Sequence, residues 1–424
     1  MTNQTNKRII MLSSAQSYRG GAFEKAAKKL GVEIVIGEDI PLPFQKSSNA
    51  QLPLDYRDIK RSTNSIKKYA IDKPITAILG LDDSGTIIQA SASQALGLAH
   101  NELDGALASR DKYLMRQRFA KNNVPSPNFS HHTFSEDMEK IAHKINYPCV
   151  IKPTTLSGSR GVMRADTPED FLKRIKRLEI ILKKERCNEF LVEDFIPGVE
   201  VALEGLLDNG TLHVLALFDK PDPLVGPFFE ETIYVTPSRL PKNAQDKIVL
   251  AAEQAAQALG LVIGPIHAEL RYNEKGAWLV EIAGRSIGGL CGNTLRFETH
   301  ASLEELILRQ ALGMELSGLS RASGADGVMM IPIPEKGILS KIEGLELAMA
   351  VPWIDDVNIT FPLNYPLVPL PEGNSYLGFI FASGDTPTQV ENALREAHSH
   401  LEFTIKPELQ VIQSSRPSIK NIIN

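Results

Sequence analysis

Residues 263–284 read IGPIHAELRYNEKGAWLVEIAG, a stretch in which apolar and polar side chains alternate on both sides of a short polar turn. Alternation with a period of two is typical of a half-buried β-strand, so the stretch predicts a hairpin that turns at Asn273–Gly276. In the first strand His267, Glu269 and Arg271 occupy alternate positions, and we expect them on one face. The apolar residues between them predict that the other face packs against a core.

The returning strand of this hairpin carries a second acid, Glu281. We expect Glu281 to share a face with Leu279 and to lie roughly opposite Glu269. Two facing carboxylates repel each other unless a cation lies between them, and Arg271 and Arg285 are the positive candidates nearby in the sequence. Oxygen-only ligands suit Mg²⁺ or Mn²⁺ rather than zinc. A solvated sheet face that carries Glu and Arg side chains is the alternative interpretation.

A second informative stretch is residues 147–162, YPCVIKPTTLSGSRGV. A short apolar strand leads into Lys152, and a loop rich in glycine and serine follows at 157–161. A positive charge beside free backbone N–H groups is what phosphates need, so the stretch indicates phosphate binding. The Walker A pattern G-x-x-x-x-G-K-[ST] does not occur in the chain. An ordinary surface loop is the alternative interpretation.

The stretch FLVEDFIPGVEV at 190–201 combines a strand with two acids, Glu193 and Glu200, that are seven residues apart. A strand edge of this kind can bind a base through its backbone, and a later carboxylate can hold two vicinal hydroxyls. A half-buried strand with exposed acids explains the same pattern.

The order of predicted elements near the N-terminus is strand, helix, strand: RIIML at 8–12, FEKAAKKLG at 23–31 and VEIVIG at 32–37. This order is typical of a parallel α/β layer, and we expect a domain of this class up to about residue 108. Gly20 and Gly21 lack the G-x-G-x-x-G spacing of a dinucleotide site.

Composition narrows the class of protein further. The 424 residues are 43% hydrophobic and 23% charged with a net charge of −5, which does not favour binding to nucleic acids or membrane surfaces. The length indicates about three domains. Three scattered cysteines without CxxC spacing favour a reducing, cytoplasmic location. The apolar run Ile9–Leu12 is too short for the core of a signal peptide, and no segment approaches a membrane span.

Four stretches in order resemble the ATP-grasp superfamily. They are RDKYLMRQRFAKNNVPSPNF at 110–129, VIKPTTLSGSRGV at 150–162, LVEDFIPGVEV at 191–201 and GPIHAELRYNEKGAWLVEIAGRSIGG at 264–289. The resemblance spans about residues 70–315, and residues 378–401 are similar to the small C-terminal domain of biotin-carboxylase-like members. The G-P-x-H-x-E pattern resembles the L-amino acid ligase branch, whose members are carboxylate–amine ligases.

The resemblance implies an α/β (α+β) fold in three parts. These are an N-terminal pre-ATP-grasp domain at 1–108, an ATP-grasp domain at 109–319 with a lid subdomain at about 140–205, and a small mixed C-terminal domain at 320–424.

The resemblance also implies a nucleotide site. The residues that it assigns to ATP are Lys112, Lys152, Ser157, Gly158, Ser159, Gly161, Glu193, Ile196 and Glu200. The two lysines would contact the phosphates, and the loop 157–161 would close over them. Glu193 and Ile196 would flank the adenine, and Glu200 would bind the ribose.

The same resemblance implies a metal and a catalytic cation. Glu269 and Glu281 would hold Mg²⁺ or Mn²⁺, and Arg285, with Lys152, would steady the transferred phosphoryl group. Many relatives have an asparagine two residues after the second metal glutamate, whereas this chain has Ala283, which offers no ligand atom. One or two metal ions are therefore both open.

The reaction implied is ligation of a carboxylate, expected to be that of an amino acid, to an amine through an acyl-phosphate, with release of ADP and phosphate. Candidate substrate residues are Glu231, which would bind a free α-amino group, Tyr234 beside it, and His267. The expected partners are ATP and these small molecules, and a homodimer is left open. The alternatives are other ATP-grasp chemistry, such as carboxylation with bicarbonate, and a non-catalytic nucleotide-binding regulatory subunit.

Overall fold

The computed structural model describes residues 7–14 and 19–408, and the predicted mixed α/β fold class is confirmed within them. Residues 1–6, 15–18 and 409–424, which belong to the predicted N- and C-terminal domains, lie outside the described residues. None of the helices described in these two ranges is long and apolar enough to cross a membrane.

The N-terminal layer is a parallel sheet in the order β3-β2-β1-β4 with helices packed against it, as the alternating pattern predicts. Its strands are β1 Arg8–Ser13, β2 Glu33–Asp39, β3 Leu52–Leu54 and β4 Ala77–Gly80, and its helices are α1 Gly20–Leu30, α2 Ile59–Asp72 and α3 Asp83–Leu96, with a 3₁₀ helix at Leu42–Ser47. The predicted pair of acids after β4 begins α3, because Asp82 caps the helix by accepting from the Ser84 N–H. Helices α4 Leu103–Arg110 and α5 Lys112–Lys121 then lead into the next unit.

A four-stranded antiparallel sheet, here called the lid sheet, follows in the order β5-β8-β6-β7. Its elements are β5 Phe129–Thr133, α6 Met138–Ala142, β6 Cys149–Pro153, β7 Met163–Ala165, α7 Pro168–Lys184 and β8 Glu189–Asp194. Helix α7 covers one face with a buried stripe that includes Phe171, Ile175 and Leu178, the i, i+4, i+7 spacing of an amphipathic helix. The other face is left to the site.

The largest sheet has eight strands in the order β13-β12-β9-β10-β11-β14-β18-β16. Its first half is built from β9 Val199–Asp208, β10 Thr211–Lys220, β11 Ile233–Thr236, α8 Lys242–Leu259, β12 Gly264–Asn273 and β13 Gly276–Ala283, followed by a 3₁₀ helix at Cys291–Thr294 and α9 Leu303–Ala311. The remaining elements are β14 Ala325–Ile331, β15 Gly337–Glu343, α10 Leu345–Met349, β16 Ile354–Ile359, β17 Pro366–Leu367, β18 Gly378–Gly384, α11 Pro387–Ser399 and β19 Glu402–Lys406. A small sheet, β17-β15-β19, completes the C-terminal part.

The sheets do not follow the predicted domain limits, which stay a prediction. The lid sheet takes its strands from residues 129–194 rather than 140–205, because β9 pairs with β10 and β12 in the large sheet. Three C-terminal strands, β14, β18 and β16, continue the same large sheet through the pairing of β11 with β14.

The predicted hairpin is present as β12 and β13, but one detail of the prediction is wrong. Leu279 pairs with Leu270 and packs in the core, whereas Glu281 pairs with Glu269 and faces the opposite side. Val280 is the extra residue of a β-bulge between these two pairs. The bulge interrupts the alternation, so Glu281 and Leu279 do not share a face, and the two carboxylates lie directly opposite each other.

Candidate functional site

A deep cleft separates the lid sheet from strands β9, β12 and β13 of the large sheet. The predicted site residues that line it are Lys112, Lys152, Ser157, Gly158, Ser159, Glu193, Ile196, Glu200, Glu231, His267, Glu269, Glu281 and Arg285. Tyr234 lines an adjoining cavity, and Gly161 lies behind the loop rather than on the cleft wall. The fold thus brings together residues that are up to 173 positions apart in the chain.

Lys112 is held at the first turn of α5, where Asp111 caps the helix by accepting from the N–H groups of Tyr113 and Leu114. Its backbone N–H donates to the Thr154 carbonyl at 2.8 Å. Its ammonium donates to the Leu156 carbonyl at 2.8 Å and to Glu281 Oε1 at 3.0 Å. The lysine therefore connects the helix, the glycine loop and the hairpin at one point.

Lys152 belongs to a buried group of charges, here called the cationic cluster: Lys152, Arg116 and Glu193. Lys152 Nζ lies 2.6 Å from Glu193 Oε2, and Arg116 Nε lies 2.8 Å from Glu193 Oε1. Arg116 also donates to the Val280 carbonyl at 2.6 Å, at the bulge. Burial raises the pKa of Glu193, but the two cations outweigh it and hold that pKa below the usual value. The Glu193 carboxylate is therefore committed to these cations.

The glycine loop contains three residues with left-handed backbone: Gly158 (φ 63°), Ser159 (φ 54°) and Gly161 (φ 77°). A Cβ at Gly161 would lie 2.9 Å from the Leu178 side chain, whereas one at Gly158 would meet only Asn374 at 3.2 Å or more. The loop is thus open at one end and packed on the lid core at the other.

A clasp between the lid and the C-terminal part holds this loop in place. Arg177 makes a two-pronged ion pair with the carboxylate of Glu372, at 2.5 and 2.7 Å. The backbone carbonyl of Glu372 accepts from Arg160 Nε at 2.9 Å, and the Gly161 N–H donates to the Pro371 carbonyl at 2.9 Å. We call these four contacts the clasp.

The end of the cleft near Glu200 is suited to a nucleoside. Arg271 donates to Glu200 Oε2 at 2.9 Å and to the carbonyls of Ile196, also at 2.9 Å, and Leu224. The guanidinium lies 4.9 Å from the ring centre of Phe195. Apolar side chains form the walls here, namely Pro127, Val150, Val162, Phe195, Leu224, Phe229 and Val280. A flat base fits between such walls, next to a carboxylate that can accept from hydroxyls.

Opposite the lid lies a second group of charges, here called the acidic cluster: Glu200, Glu231, Glu269 and Lys220. Lys220 Nζ lies 2.9 Å from Glu200 Oε1, 3.3 Å from Glu269 Oε1, and also in contact with Glu231. Burial lowers the pKa of Lys220, but the three carboxylates raise it well above the usual value. Burial and Glu269 together raise the pKa of Glu231 to about 7.

The two proposed metal carboxylates, Glu269 and Glu281, face each other across the hairpin, and their cations are not the ones expected from the sequence. Glu269 meets Lys220 and His267, and Glu281 meets Lys112. Two opposed carboxylates at a cleft wall match the oxygen donors that Mg²⁺ or Mn²⁺ prefers. Ala283 also lines the cleft but offers no ligand atom.

The two arginines that were expected near this pair have other partners. Arg271 binds Glu200, as described above, and Arg285 makes a two-pronged ion pair with Asp83, at 2.8 and 3.0 Å. Burial raises the pKa of Asp83, but Arg285 outweighs it and lowers that pKa. Asp83 comes from the N-terminal layer, so that layer orients an arginine of the cleft.

His267 bridges two acids on neighbouring strands. Its Nδ1 lies 3.2 Å from the fully buried Glu204, and its Nε2 lies 3.6 Å from Glu269. Burial lowers the pKa of His267, but hydrogen bonds to the two carboxylates raise it to about 9. Glu204 also accepts from the Ile287 N–H, so its position is fixed from two sides.

A second cavity of about 300 Å³ adjoins the cleft beyond Glu231 and Arg285. One wall is apolar and is formed by Tyr234, Ile287, Met330, Tyr376 and Phe379, among others. The charged groups Arg19, Asp82, Asp83 and Arg285 line the other side. A cavity of this kind suits a small molecule with one apolar and one charged end.

Sequence analysis missed Arg116, Lys220 and Asp83. Lys220 had a usable signal, because FDKP at 218–221 ends a buried strand with Lys-Pro, as VIKP does at 150–153. Asp83 was noted as the end of a strand without a role. Arg116 had no signal beyond its place in an amphipathic helix, because its partners are 77 and 164 residues away.

Comparisons with known proteins match two segments of the chain. Residues 145–294 match the ATP-grasp domain, and residues 329–406 match the L-amino acid ligase C-terminal domain 2. The chain belongs to the ATP-grasp superfamily, and the predicted resemblance to that superfamily is confirmed. Within it, the C-terminal match confirms the resemblance to the L-amino acid ligase branch.

Named relatives agree with this assignment. The alanine–anticapsin ligase of Bacillus subtilis is 31% identical over 219 residues, which cover 47% of this chain and 46% of that protein. The dapdiamide A synthase of Enterobacter agglomerans is 28% identical over 306 residues, covering 68% and 70%. The crystal structure of L-amino acid ligase from Bacillus licheniformis superposes with a TM-score of 0.80 at 24% identity, over 95% of this chain and 99% of that one. The chain spans about half the length of the alanine–anticapsin ligase, and the likeness in structure shows the fold.

Proposed function

We propose that this protein is an ATP-dependent ligase that joins a carboxylate, that of an amino acid, to an amine through an acyl-phosphate. One observation carries the proposal: the paired carboxylates Glu269 and Glu281 face the same cleft as Lys112, Lys152 and the glycine loop. A phosphoryl group that binds between them meets cations on one side and metal-binding oxygens on the other. The names of the relatives support amide or peptide ligation as the reaction.

The nucleotide would lie along the cleft with its phosphates towards Lys112 and Lys152. The base would bind between the apolar walls beside Ile196, and the ribose hydroxyls would donate to Glu200. The contribution of Glu193 in this proposal is indirect, because its carboxylate is bound to the two cations of its cluster. It fixes Lys152 in place and leaves the adenine contact to the backbone and to Ile196.

Mg²⁺ or Mn²⁺ held by Glu269 and Glu281 would neutralise charge on the transferred phosphoryl group. One substrate oxygen attacks the γ-phosphorus, the bond to the ADP oxygen breaks, and an acyl-phosphate forms. The amine then attacks the acyl carbon, loses a proton, and phosphate leaves. Arg285, held by Asp83, is placed to bind the phosphoryl group or the substrate carboxylate at the join between the two cavities. The loop 157–161 would exclude water, which would otherwise hydrolyse the acyl-phosphate.

The second cavity is the proposed substrate site. Glu231 stands at its entrance from the cleft and would bind the α-amino group of the substrate, with Tyr234 forming part of the wall. His267, fixed between Glu204 and Glu269, would orient the metal carboxylate. The free state of the three cysteines supports a cytoplasmic location as part of the proposal. A homodimer remains a prediction.

The test is a phosphate-release screen over pairs of amino acids and amines with ATP and Mg²⁺, followed by analysis of the nucleotide product. We expect one or more pairs to yield ADP, phosphate and an amide in equal amounts. AMP and pyrophosphate as stoichiometric products would reject the acyl-phosphate route in favour of adenylation. Bicarbonate-dependent phosphate release without an amine would favour carboxylation, and nucleotide binding without turnover on any pair would favour a regulatory subunit. Glu343→Gln, at an exposed pair on β15, is the control for nonspecific effects of losing a carboxylate.

A further inference from the structure

Lys220, at the last position of β10, is a buried cation that no part of the proposed reaction uses. Its side chain is only 2% exposed, and its ammonium contacts three carboxylates. The partners are on three different elements: Glu200 on β9, Glu231 on the segment before β11, and Glu269 on β12. A lysine that served only as a cross-link would need one partner rather than three.

Register explains how the lysine reaches this position. Lys220 lies directly across from Glu200 in the pairing of β10 with β9, and Glu200 lies across from Arg271 in the pairing of β9 with β12. The carboxylate of Glu200 therefore has a cation on each side. Glu231 and Glu269 have Lys220 as a shared cation.

Ligand oxygens of Glu200, Glu231 and Glu269 all lie within 4.8 Å of one another. Three carboxylate oxygens at this spacing are the arrangement that hard divalent cations bind. The ammonium of Lys220 contacts all three acids, so it competes with any ion for these oxygens.

We propose that Lys220 is a positioning residue that keeps divalent cations out of this group of three carboxylates. Its effect is to leave Glu269 available to share a cation with Glu281 at the hairpin, where the phosphates are expected, and to keep Glu200 and Glu231 available for ribose and substrate. The three roles rest on the proposed function, but the exclusion of metal from the cluster does not. Without Lys220, the cluster itself would bind the cation, away from Glu281.

The test is the binding of Mn²⁺ to the whole protein in the absence of nucleotide, followed by electron paramagnetic resonance of the free ion. We expect Lys220→Met to bind one more Mn²⁺ than the wild type, or to bind it at least about tenfold more tightly, because a unit positive charge leaves the centre of three acids. Adding Glu200→Gln to the variant should abolish the gain. Lys29→Met removes a lysine from the buried Glu305, outside the cleft, and should change nothing.

Lys220→Met removes the cation of three buried acids and is expected to lower the melting temperature. Mn²⁺ should then restore it by filling the same place, whereas Lys220→Arg, which keeps the charge, should show no gain in Mn²⁺ binding. A folded Lys220→Met protein with wild-type Mn²⁺ binding would overturn the proposal, as would an unstable one that Mn²⁺ does not rescue. Failure of the wild type to ligate any substrate pair would reject the proposed function alone, since Mn²⁺ binding is measured without turnover.

Discussion

The cationic cluster sets Arg116 and Lys152 against a single carboxylate, whereas the acidic cluster on the facing wall sets Lys220 against three. Both are buried, and both are tied to strands of antiparallel sheets. Their formal charges differ in sign: the first has an excess of one positive charge and the second an excess of two negative charges. A buried charge is costly unless it is paired, so neither excess is expected from folding stability alone.

The difference follows the ligands proposed for each side. A polyphosphate brings negative charge and completes the pairing of the cationic cluster. A divalent cation, with an amino group at Glu231, completes the pairing of the acidic cluster. Each wall is therefore balanced only when the cleft is filled, and removing one carboxylate should have opposite effects on the stability of the empty protein in the two places.

The largest effect is expected for Glu193→Gln. The change leaves Arg116 and Lys152 buried without their counter-charge, and breaking a buried pair in this way costs about 3–5 kcal/mol. Denaturant unfolding of the ligand-free protein measures it. Glu189→Gln, on the same strand but exposed, should cost less than about 1 kcal/mol. Equal stability of the two variants would mean that the cationic cluster does not contribute to folding.

Glu269→Gln is the matching change in the acidic cluster. Lys220 keeps two carboxylates, and repulsion among the acids is relieved, so the melting temperature of the ligand-free protein should stay the same or rise. Ligation should fall by about 100-fold or more, because the proposed metal loses a ligand. A clear loss of stability would show that Glu269 is mainly a structural partner of Lys220 and His267. Glu281→Gln is a less clean test, since Lys112 would lose its carboxylate partner.

A smaller effect is expected at the clasp. Glu372→Gln weakens the ion pair with Arg177, which is partly exposed, so its contribution is at most about 1 kcal/mol. Looser closure of the loop should let water reach the acyl-phosphate, and the ratio of amide formed to ATP consumed should fall by about two- to fivefold. Glu343→Gln removes a comparable exposed pair far from the loop and should leave the ratio unchanged.

The smallest effect concerns pH. The pKa of Glu231 is raised from 4.5 to about 7 in the folded protein, so the folded state binds this proton more tightly than the unfolded state. The resulting stabilisation is complete below pH 4.5 and is lost as the pH rises through 7. The melting temperature of the ligand-free protein should therefore fall by roughly 2–5 °C between pH 5 and pH 8. Glu231→Gln should remove this slope, and an unchanged slope would assign it to another group.

Local pattern predicted the parts of this molecule that depend on neighbours in sequence. The hairpin, the glycine loop and the N-terminal layer follow from alternation, turn residues and helix periodicity, and each is present. The bulge at Val280 was not predictable, because strict alternation would have turned Val280, not Glu281, towards the face of Glu269. The ion partners were missed for a different reason, since Arg285 and Asp83 are 202 residues apart and only the tertiary fold brings them together.

The continuous eight-stranded sheet has a consequence for shortened forms of the chain. Strand β11 is paired on both sides, with β10 and with β14, and its residues Ile233 and Val235 are buried. A chain that ended near residue 319 would lose β14 and expose a row of free N–H and C=O groups beside these apolar side chains. Bare edges of this kind pair with other chains, so the isolated segment should self-associate and precipitate rather than remain a folded monomer.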